Sequence, residues 1–147
     1  MTEENNTYLE ESGDIAEKMM GSFSARVLHL ENIMSHIMAQ HFRLDNAERA
    51  ALFLSAMTPD MSFRNKINIF INMIRIYYDE IYKIYDSDLR KLYELDQYRN
   101  DLVNLVIGKT MTGDVTEKEH ESKVRLCIKL AFVLNTIQRE ILLRKLS

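Results

Sequence analysis

The sequence predicts an all-α protein, an antiparallel up-and-down bundle of four main helices plus one short helix. Three observations support this prediction. Proline and glycine disfavour helix interiors, and the 147 residues contain only one Pro and four Gly. Apolar residues recur at steps of three and four over long stretches, which is the period of an amphipathic helix. The segments between these stretches are short, which favours antiparallel neighbours.

The first main helix is predicted over about residues 14–42. Residues 1–12 are polar, acidic and without periodicity, so we expect a disordered N-terminus followed by a single helical domain over residues 13–147. Leu44-Asp45-Asn46 supplies a break and a capping candidate for a short helix over about 47–57. The first helix has apolar positions at Met19, Phe23, Val27, Leu30, Met34, Ile37 and His41.

Three further helices complete the predicted bundle. One begins near Ser62 and carries a stripe that runs from Phe63 to Ile84 at steps of four and three. Asp86-Ser87-Asp88 is interpreted as its stop and as the N-cap of the next helix, over about 88–107. After a loop at 108–116, the last helix spans about 117–146. Its middle, Leu126 to Leu134, is apolar on nearly all sides, which is typical of the most covered helix of a bundle.

Composition excludes several classes of protein. The formal net charge is -3, which argues against a surface coated with nucleic-acid-binding charge, although a local basic groove is compatible with it. No stretch is long and apolar enough to predict a transmembrane helix, so we expect no membrane partner. The N-terminus lacks the basic and apolar regions of a signal peptide. The single cysteine, Cys127, lies in an apolar run, and we expect a core residue in a cytoplasmic protein.

Neither a metal nor a cofactor site is expected. His29 and His36 lie two helical turns apart, and His36 and His41 are poorly aligned, so one small metal ion does not fit. There is no G-x-S-x-G, Walker A or G-x-G-x-x-G motif. The six tyrosines between Tyr77 and Tyr98 favour packing over base stacking, because acidic residues lie among them.

Arg99 is the residue that the sequence singles out. It occupies a stripe of leucines on one helix face, between Leu95 and Leu102. A guanidinium cannot lose its charge and needs partners for up to five donors. One hypothesis pairs Arg99 with a carboxylate such as Glu31, Asp96 or Asp101. The other hypothesis is an anion or RNA-phosphate site that Arg99 forms with Asn100 and Asn104, since a fork of donors fits phosphate oxygens.

The segment Leu95-Asp96-Gln97-Tyr98-Arg99-Asn100-Asp101-Leu102-Val103-Asn104 resembles the signature helix of HEPN domains. That helix carries an arginine, an adjacent polar residue and a histidine about a turn later. Arg99 and Asn100 match the first two, whereas the histidine position falls on Asn104. The stretch 61–67 and the His-Phe end of the first helix are also similar to HEPN-like proteins. His120, the only histidine downstream, lies across the loop and is not expected to replace the missing one.

The resemblance implies an all-helical bundle that dimerises. Many HEPN proteins are metal-independent RNases of toxin–antitoxin, abortive-infection and CRISPR systems, and others have lost catalysis. Asparagine cannot shuttle a proton, so Asn104 removes general acid–base catalysis at that position. The preferred hypothesis is a non-catalytic HEPN-like module of a defence or toxin–antitoxin system. It would form a homodimer and bind a partner chain, or an RNA or nucleotide phosphate, through Arg99, Asn100 and Asn104.

Two alternatives stay open at the level of sequence. The first is an active metal-independent endoribonuclease, in which Arg99 stabilises charge and Asn104 positions the ribose. The second is a purely structural adaptor that docks a partner helix on its Met-rich and Tyr-rich helices, since methionine adapts easily to such surfaces. RNA cleavage in EDTA would favour the first, and a copurified protein without nucleic acid would favour the second.

Overall fold

The computed structural model describes residues 2–42, 46–57, 61–106 and 117–146. These residues form six α-helices and no β-strand, which confirms the all-α class. The predicted loop at 108–116 lies outside the described residues. The helices are α1 (Thr2–His41), α2 (Ala47–Met57), α3 (Phe63–Tyr77), α4 (Asp79–Arg90), α5 (Leu92–Val106) and α6 (Glu117–Leu146).

Helix α1 is the central element of the bundle. It packs against α2, α3, α5 and α6. The predicted apolar stripe is its buried face, because residues three and four apart share one side of a helix. The structure places residues 2–12 inside α1, whereas the sequence predicts disorder there. Fully buried positions of the stripe are Phe23, Val27, Leu30, Met34 and Ile37.

Ion pairs and hydrogen bonds between helices show the direction of each segment. Lys66, near the start of α3, contacts Glu31 in the middle of α1. Tyr77, at the end of α3, contacts His41 at the end of α1, so the two helices run parallel. Helix α2, about 16 Å long, brings the chain back between them. Helix α5 is antiparallel to α3, and α6 is antiparallel to α4 and α5. Successive segments therefore alternate in direction, as expected for an up-and-down bundle.

Two local capping interactions define where helices begin. The Asn46 Oδ1 accepts a hydrogen bond from the Glu48 amide at 2.8 Å, as the sequence predicts for a cap of α2. The Ser62 Oγ accepts from the Asn65 amide at 3.1 Å and caps α3. Each bond satisfies an amide that has no partner within its own helix.

The boundary after α3 differs from the prediction. The chain reverses at Tyr78, whose backbone leaves the helical region with φ -137° and ψ 55°. The predicted stop at 86–88 is wrong, since these residues lie inside α4. Residues 79 and 80 are acidic and favour a new helix N-terminus. Helix α4 must also continue far enough to bury Leu89, which is fully inaccessible.

Helices α4 and α5 are separated by Lys91 alone, which keeps a helical backbone with φ -67° and ψ -16°. They form one long bent segment. With α1, α3 and α6 this makes four main segments, and α2 is the short helix.

The expectation that α6 is the most covered helix is wrong. Its inward face, including Leu130, Leu134 and Ile137, is buried. Its outward face exposes 57% of Ile128 and 67% of Phe132. Helix α1 occupies the central position instead, so neighbours cover only part of α6. The apolar residues that the sequence places all around α6 therefore leave a hydrophobic strip on the surface.

Candidate functional site

Helix α5 turns Arg99 toward the interior of the bundle. Its neighbours Tyr98 and Leu102 are buried, and 28% of the Arg99 side chain remains exposed. The guanidinium carbon lies 5.3 Å from the centre of the Phe63 ring, a cation–π arrangement. The aliphatic stem and the ring contact explain how a permanent charge is accommodated beside a row of leucines.

Two carboxylates face this guanidinium. The Arg99 Nη1 is 3.6 Å from the Glu31 Oε1, and Nη2 is 3.9 Å from the Asp96 Oδ1. Glu31 and Asp96 are two of the three carboxylates that the sequence offers as partners. The third, Asp101, accepts a hydrogen bond from Gln97 at 3.0 Å. Arg99 is therefore engaged by acidic groups of its own chain.

The same carboxylates bind two more cations. The Lys66 Nζ donates to the Glu31 Oε2 at 2.6 Å, and the Arg64 Nε donates to the Asp96 Oδ2 at 3.0 Å. Lys66 and Asp96 are almost fully buried, with side chains 3% and 6% exposed. We call these five residues the charge network; it joins α1, α3 and α5 and has a formal charge of +1. The burial of Lys66 and Asp96 makes it costly to remove the partners of these two residues, because each would keep an uncompensated buried charge.

Lys66 belongs to the charge network but is not among the site residues that the sequence predicts. A signal exists, because Lys66 is a cation within an apolar stripe, between Phe63 and Phe70, as Arg99 is between leucines. The position of Lys66 on a helical wheel does not identify its partner, Glu31, because that residue lies on a different helix, α1. A second cation of this kind indicates that the pattern marks internal ion pairing in this chain.

The structure does not bring Asn100 or Asn104 to the Arg99 guanidinium. At 100° per residue, Asn104 lies about 140° around the helix from Arg99. Asn100 is exposed and Asn104 is half-buried. Within the described ranges neither amide makes a hydrogen bond to Arg99. The three residues that the sequence groups as a phosphate site thus point in different directions.

Tyr98 and His120 form a second polar contact inside the bundle. The Tyr98 Oη and the His120 Nδ1 are 2.7 Å apart, and the Phe23 ring meets the Tyr98 ring edge-on at 4.9 Å. Burial raises the pKa of Tyr98 to about 12, so the phenol keeps its proton. Burial and the nearby Arg26 charge lower the pKa of His120, which favours the neutral ring. In the neutral tautomer whose Nδ1 carries no proton, His120 accepts a hydrogen bond from the Tyr98 hydroxyl.

The other histidines have separate surroundings. The His36 Nδ1 lies 2.6 Å from the Asn32 carbonyl oxygen, and the His41 Nδ1 lies 2.7 Å from the Tyr78 hydroxyl. His29 lies at a groove described below. Across the part of the chain that the structure describes, no cluster of three or more His, Cys, Asp or Glu side chains could hold a metal ion.

A mainly apolar groove lies between the parallel helices α1 and α6. Its volume is about 420 Å³. Cys127 forms its floor and is 3% exposed, and burial raises the pKa of this thiol to about 11, so it stays protonated. Ile128 lies on one wall and Phe132 follows it one turn later on α6. We call this feature the α1–α6 groove; it is lined by Ala25, Arg26, His29, Cys127, Ile128 and Ala131.

A basic groove of about 320 Å³ lies on another side of α6, against the start of α5. Three of its lysines already face carboxylates. Lys91 and Lys129 lie 3.9 and 3.4 Å from the Asp88 Oδ1, and Lys123 lies 3.8 Å from Glu94. These acidic partners reduce the potential that a phosphate would meet there.

Comparison with family models, curated proteins and solved structures gives no match for this chain. The resemblance to HEPN domains therefore rests on residues 95–104, on the stretch 61–67 and on the His-Phe end of the first helix. Among the described residues, no helix combines the length and apolar character needed to cross a membrane.

Proposed function

We propose that this chain is a helical protein-interaction module whose docking face is the outward side of α6 together with the α1–α6 groove. One observation supports this most strongly. Ile128 and Phe132 are more than half exposed on one helix face, directly beside an apolar groove. Contiguous apolar surface of this kind marks sites that bind other proteins, because contact removes it from water. This is the structural-adaptor alternative of the sequence analysis, with a different surface.

The contacts of the cations favour a protein partner over RNA. Arg99 faces Glu31 and Asp96, and the lysines of the basic groove face Asp88 and Glu94. A phosphate at either place would compete with carboxylates that are already bound. The chain is also acidic, with a formal net charge of -3. The hypotheses of a HEPN-like RNA binder or RNase therefore depend on the resemblance and on Arg99 leaving its present partners.

Site-specific photocrosslinking tests the proposal. A benzophenone amino acid replaces Phe132 in one variant of the full chain and Ile84 in a matched control. Both side chains are 67% exposed, but Ile84 lies on α4, away from the α1–α6 groove. We expect irradiation in cells to give a discrete covalent adduct from position 132, identified by mass spectrometry, and none from position 84.

Equal adducts from both positions, or none from position 132, would refute a docking role for this face. A second measurement separates binding from folding. Because Phe132 is exposed, Phe132→Ser should change the free energy of unfolding by less than about 0.5 kcal/mol. The protein that crosslinks to position 132 should copurify with the wild type but not with this variant.

A further inference from the structure

The outward face of α6 has a regular arrangement of charge around its apolar centre. Taking 100° per residue, eight exposed residues fall within about 40° of one line along the helix. Glu121 and Arg139 lie on opposite sides of an apolar centre formed by Ile128 and Phe132. From the N-terminal end, the eight residues are Glu117, Glu121, Arg125, Ile128, Phe132, Asn135, Arg139 and Leu143.

This arrangement is complementary to itself when two copies meet in opposite directions. A two-fold axis through position 130 puts Ile128 of one copy opposite Phe132 of the other. The same axis puts Glu121 opposite Arg139, and Arg125 opposite Asn135. A two-fold interface repeats every contact, so two apolar pairs and two opposite-charge pairs result from one register. Like charges do not meet in this register.

The α1–α6 groove lies to one side of this contact. Under the two-fold axis, the Phe132 ring of the second copy lies level with Ile128, on the side of Ile128 away from α1. The groove therefore borders the contact between the two α6 helices and does not receive the ring.

We propose that the partner on this face is a second copy of the chain, bound antiparallel along α6 with Glu121 of each copy paired to Arg139 of the other. This inference rests on the proposed function. Both charged residues are available for it. Among the residues that the structure describes, the one ion pair of Glu121 is with the exposed Arg125 of its own helix, at 4.0 Å. Arg139 is exposed and makes no ion pair with any residue that the structure describes.

Charge reversal with mixing tests both partner and register. We expect the full chain to be a dimer by sedimentation equilibrium. Glu121→Arg creates two Arg–Arg contacts and Arg139→Glu creates two Glu–Glu contacts, so each variant alone should dimerise at least about tenfold more weakly. Mixed in equal amounts, the two variants should form a heterodimer, because both charge pairs are then restored.

The matched controls are Glu48→Arg and Arg49→Glu on α2, both at exposed positions away from α6. They change net charge by the same amounts and should leave dimerisation unaltered. Failure of the mixed pair to recover affinity would overturn the inferred register, and a dimer insensitive to all four variants would place the interface elsewhere. Circular dichroism confirms that each variant is folded before its association is measured.

Failure of this inference is distinguishable from failure of the proposed function. A monomeric chain whose position 132 crosslinks to a different protein keeps the docking role and overturns the second copy as occupant. A monomeric chain with no adduct at position 132 overturns both. A dimer that crosslinks to itself at position 132 and follows the charge-reversal pattern supports both.

Discussion

Lys66 donates a 2.6 Å hydrogen bond to Glu31, and the ammonium that makes this bond is almost inaccessible to water. The pair connects the start of α3 to the middle of α1. Arg99 approaches the same carboxylate at 3.6 Å. Glu31 therefore compensates two cations from two other helices, and one of them, Lys66, is the most buried cation of the charge network.

Glu31→Gln should lower the free energy of unfolding by about 3 kcal/mol, because the Lys66 ammonium would remain buried without a counter-charge. Urea denaturation followed by circular dichroism measures this loss. The matched control is Asp79→Asn, which breaks the Lys83–Asp79 pair. Both of those side chains are more than half exposed, so we expect a change below about 1 kcal/mol. Equal losses in the two variants would contradict the assignment of Glu31.

Lys66→Met should cost less than Glu31→Gln. Methionine fills a similar volume without a charge, and Glu31 keeps Arg99 as a partner. The same denaturation experiment compares the two variants. If Lys66→Met were the more damaging substitution, the network would depend on the lysine rather than on the carboxylate.

Arg99→Ala should destabilise the fold by about 2 kcal/mol, because it removes the contact with Phe63 and one of the two cations that face Glu31. We expect no RNA cleavage in EDTA and no RNA retention at physiological salt, either by the wild type or by this variant. Filter binding and gel electrophoresis of labelled RNA provide the measurements.

The exposed Arg49→Ala on α2 is the charge-matched control for Arg99→Ala. RNA binding or cleavage by the wild type that Arg99→Ala abolishes and Arg49→Ala preserves would reinstate the HEPN-like hypothesis. If Arg99→Ala destabilises the fold without changing RNA binding or cleavage, the role of Arg99 is structural.

Acid should weaken the fold through His120. Its pKa in the folded protein is lowered, first by burial and then by Arg26, so the unfolded chain binds the proton more readily. Between this lowered pKa and about 6.5, the free energy of unfolding therefore rises with pH and falls on acidification. When Nδ1 is the unprotonated nitrogen of His120, the hydrogen bond from the Tyr98 hydroxyl adds to this effect, because protonation of the ring removes the acceptor.

Urea denaturation at several pH values tests this dependence in the wild type and in His120→Gln. Glutamine can still accept from the Tyr98 hydroxyl but does not titrate. We expect a shallower loss of stability between pH 7 and pH 5 in the variant. If the free energy of unfolding falls equally with decreasing pH in both proteins, the loss of stability in acid arises from carboxylates and not from His120.

Cys127 should react slowly with thiol reagents. Burial raises its pKa to about 11, so about a thousandth of the thiol is ionised at pH 8, and the thiolate is the reactive form. Native protein should label with Ellman's reagent orders of magnitude more slowly than protein in concentrated urea. Rapid labelling of the folded chain would mean that the floor of the α1–α6 groove is open to solvent.

Much of the fold follows from apolar spacing. The predicted stripes identify buried faces from Phe23 to Ile37 in α1 and from Phe63 to Ile74 in α3, because helical side chains three and four apart share a side. Tyr77 and Ile84, at the end of the second stripe, lie on either side of the helix break and are more than half exposed. The boundary at Tyr78 does not follow in this way. Capping residues such as Asp86 and Ser87 are tolerated inside a helix when it must extend to bury a later residue, here Leu89.

The candidate site is less predictable, for a different reason. Arg99 stands out in the sequence because a cation interrupts leucines, and Glu31 is one of three partners proposed for it. Which carboxylate lies opposite depends on how α1 crosses α5, and local sequence does not encode that crossing. The exposure of Phe132 has the same origin, since a helix that is apolar on all sides does not reveal which side its neighbours cover.

The reversal at Tyr78 joins α3 to α4 through a single residue, with hydrogen bonds from the Tyr78 amide to Ile74 and from the Tyr82 amide to the Tyr78 carbonyl. Such a junction has no further loop residues that could accommodate an insertion. One inserted residue would rotate α4 by about 100° about its axis and swing Ile81 and Leu89 out of the interior. Insertions and deletions at this point should thus be far more damaging than substitutions, so natural length variation and engineered fusions belong elsewhere in the chain.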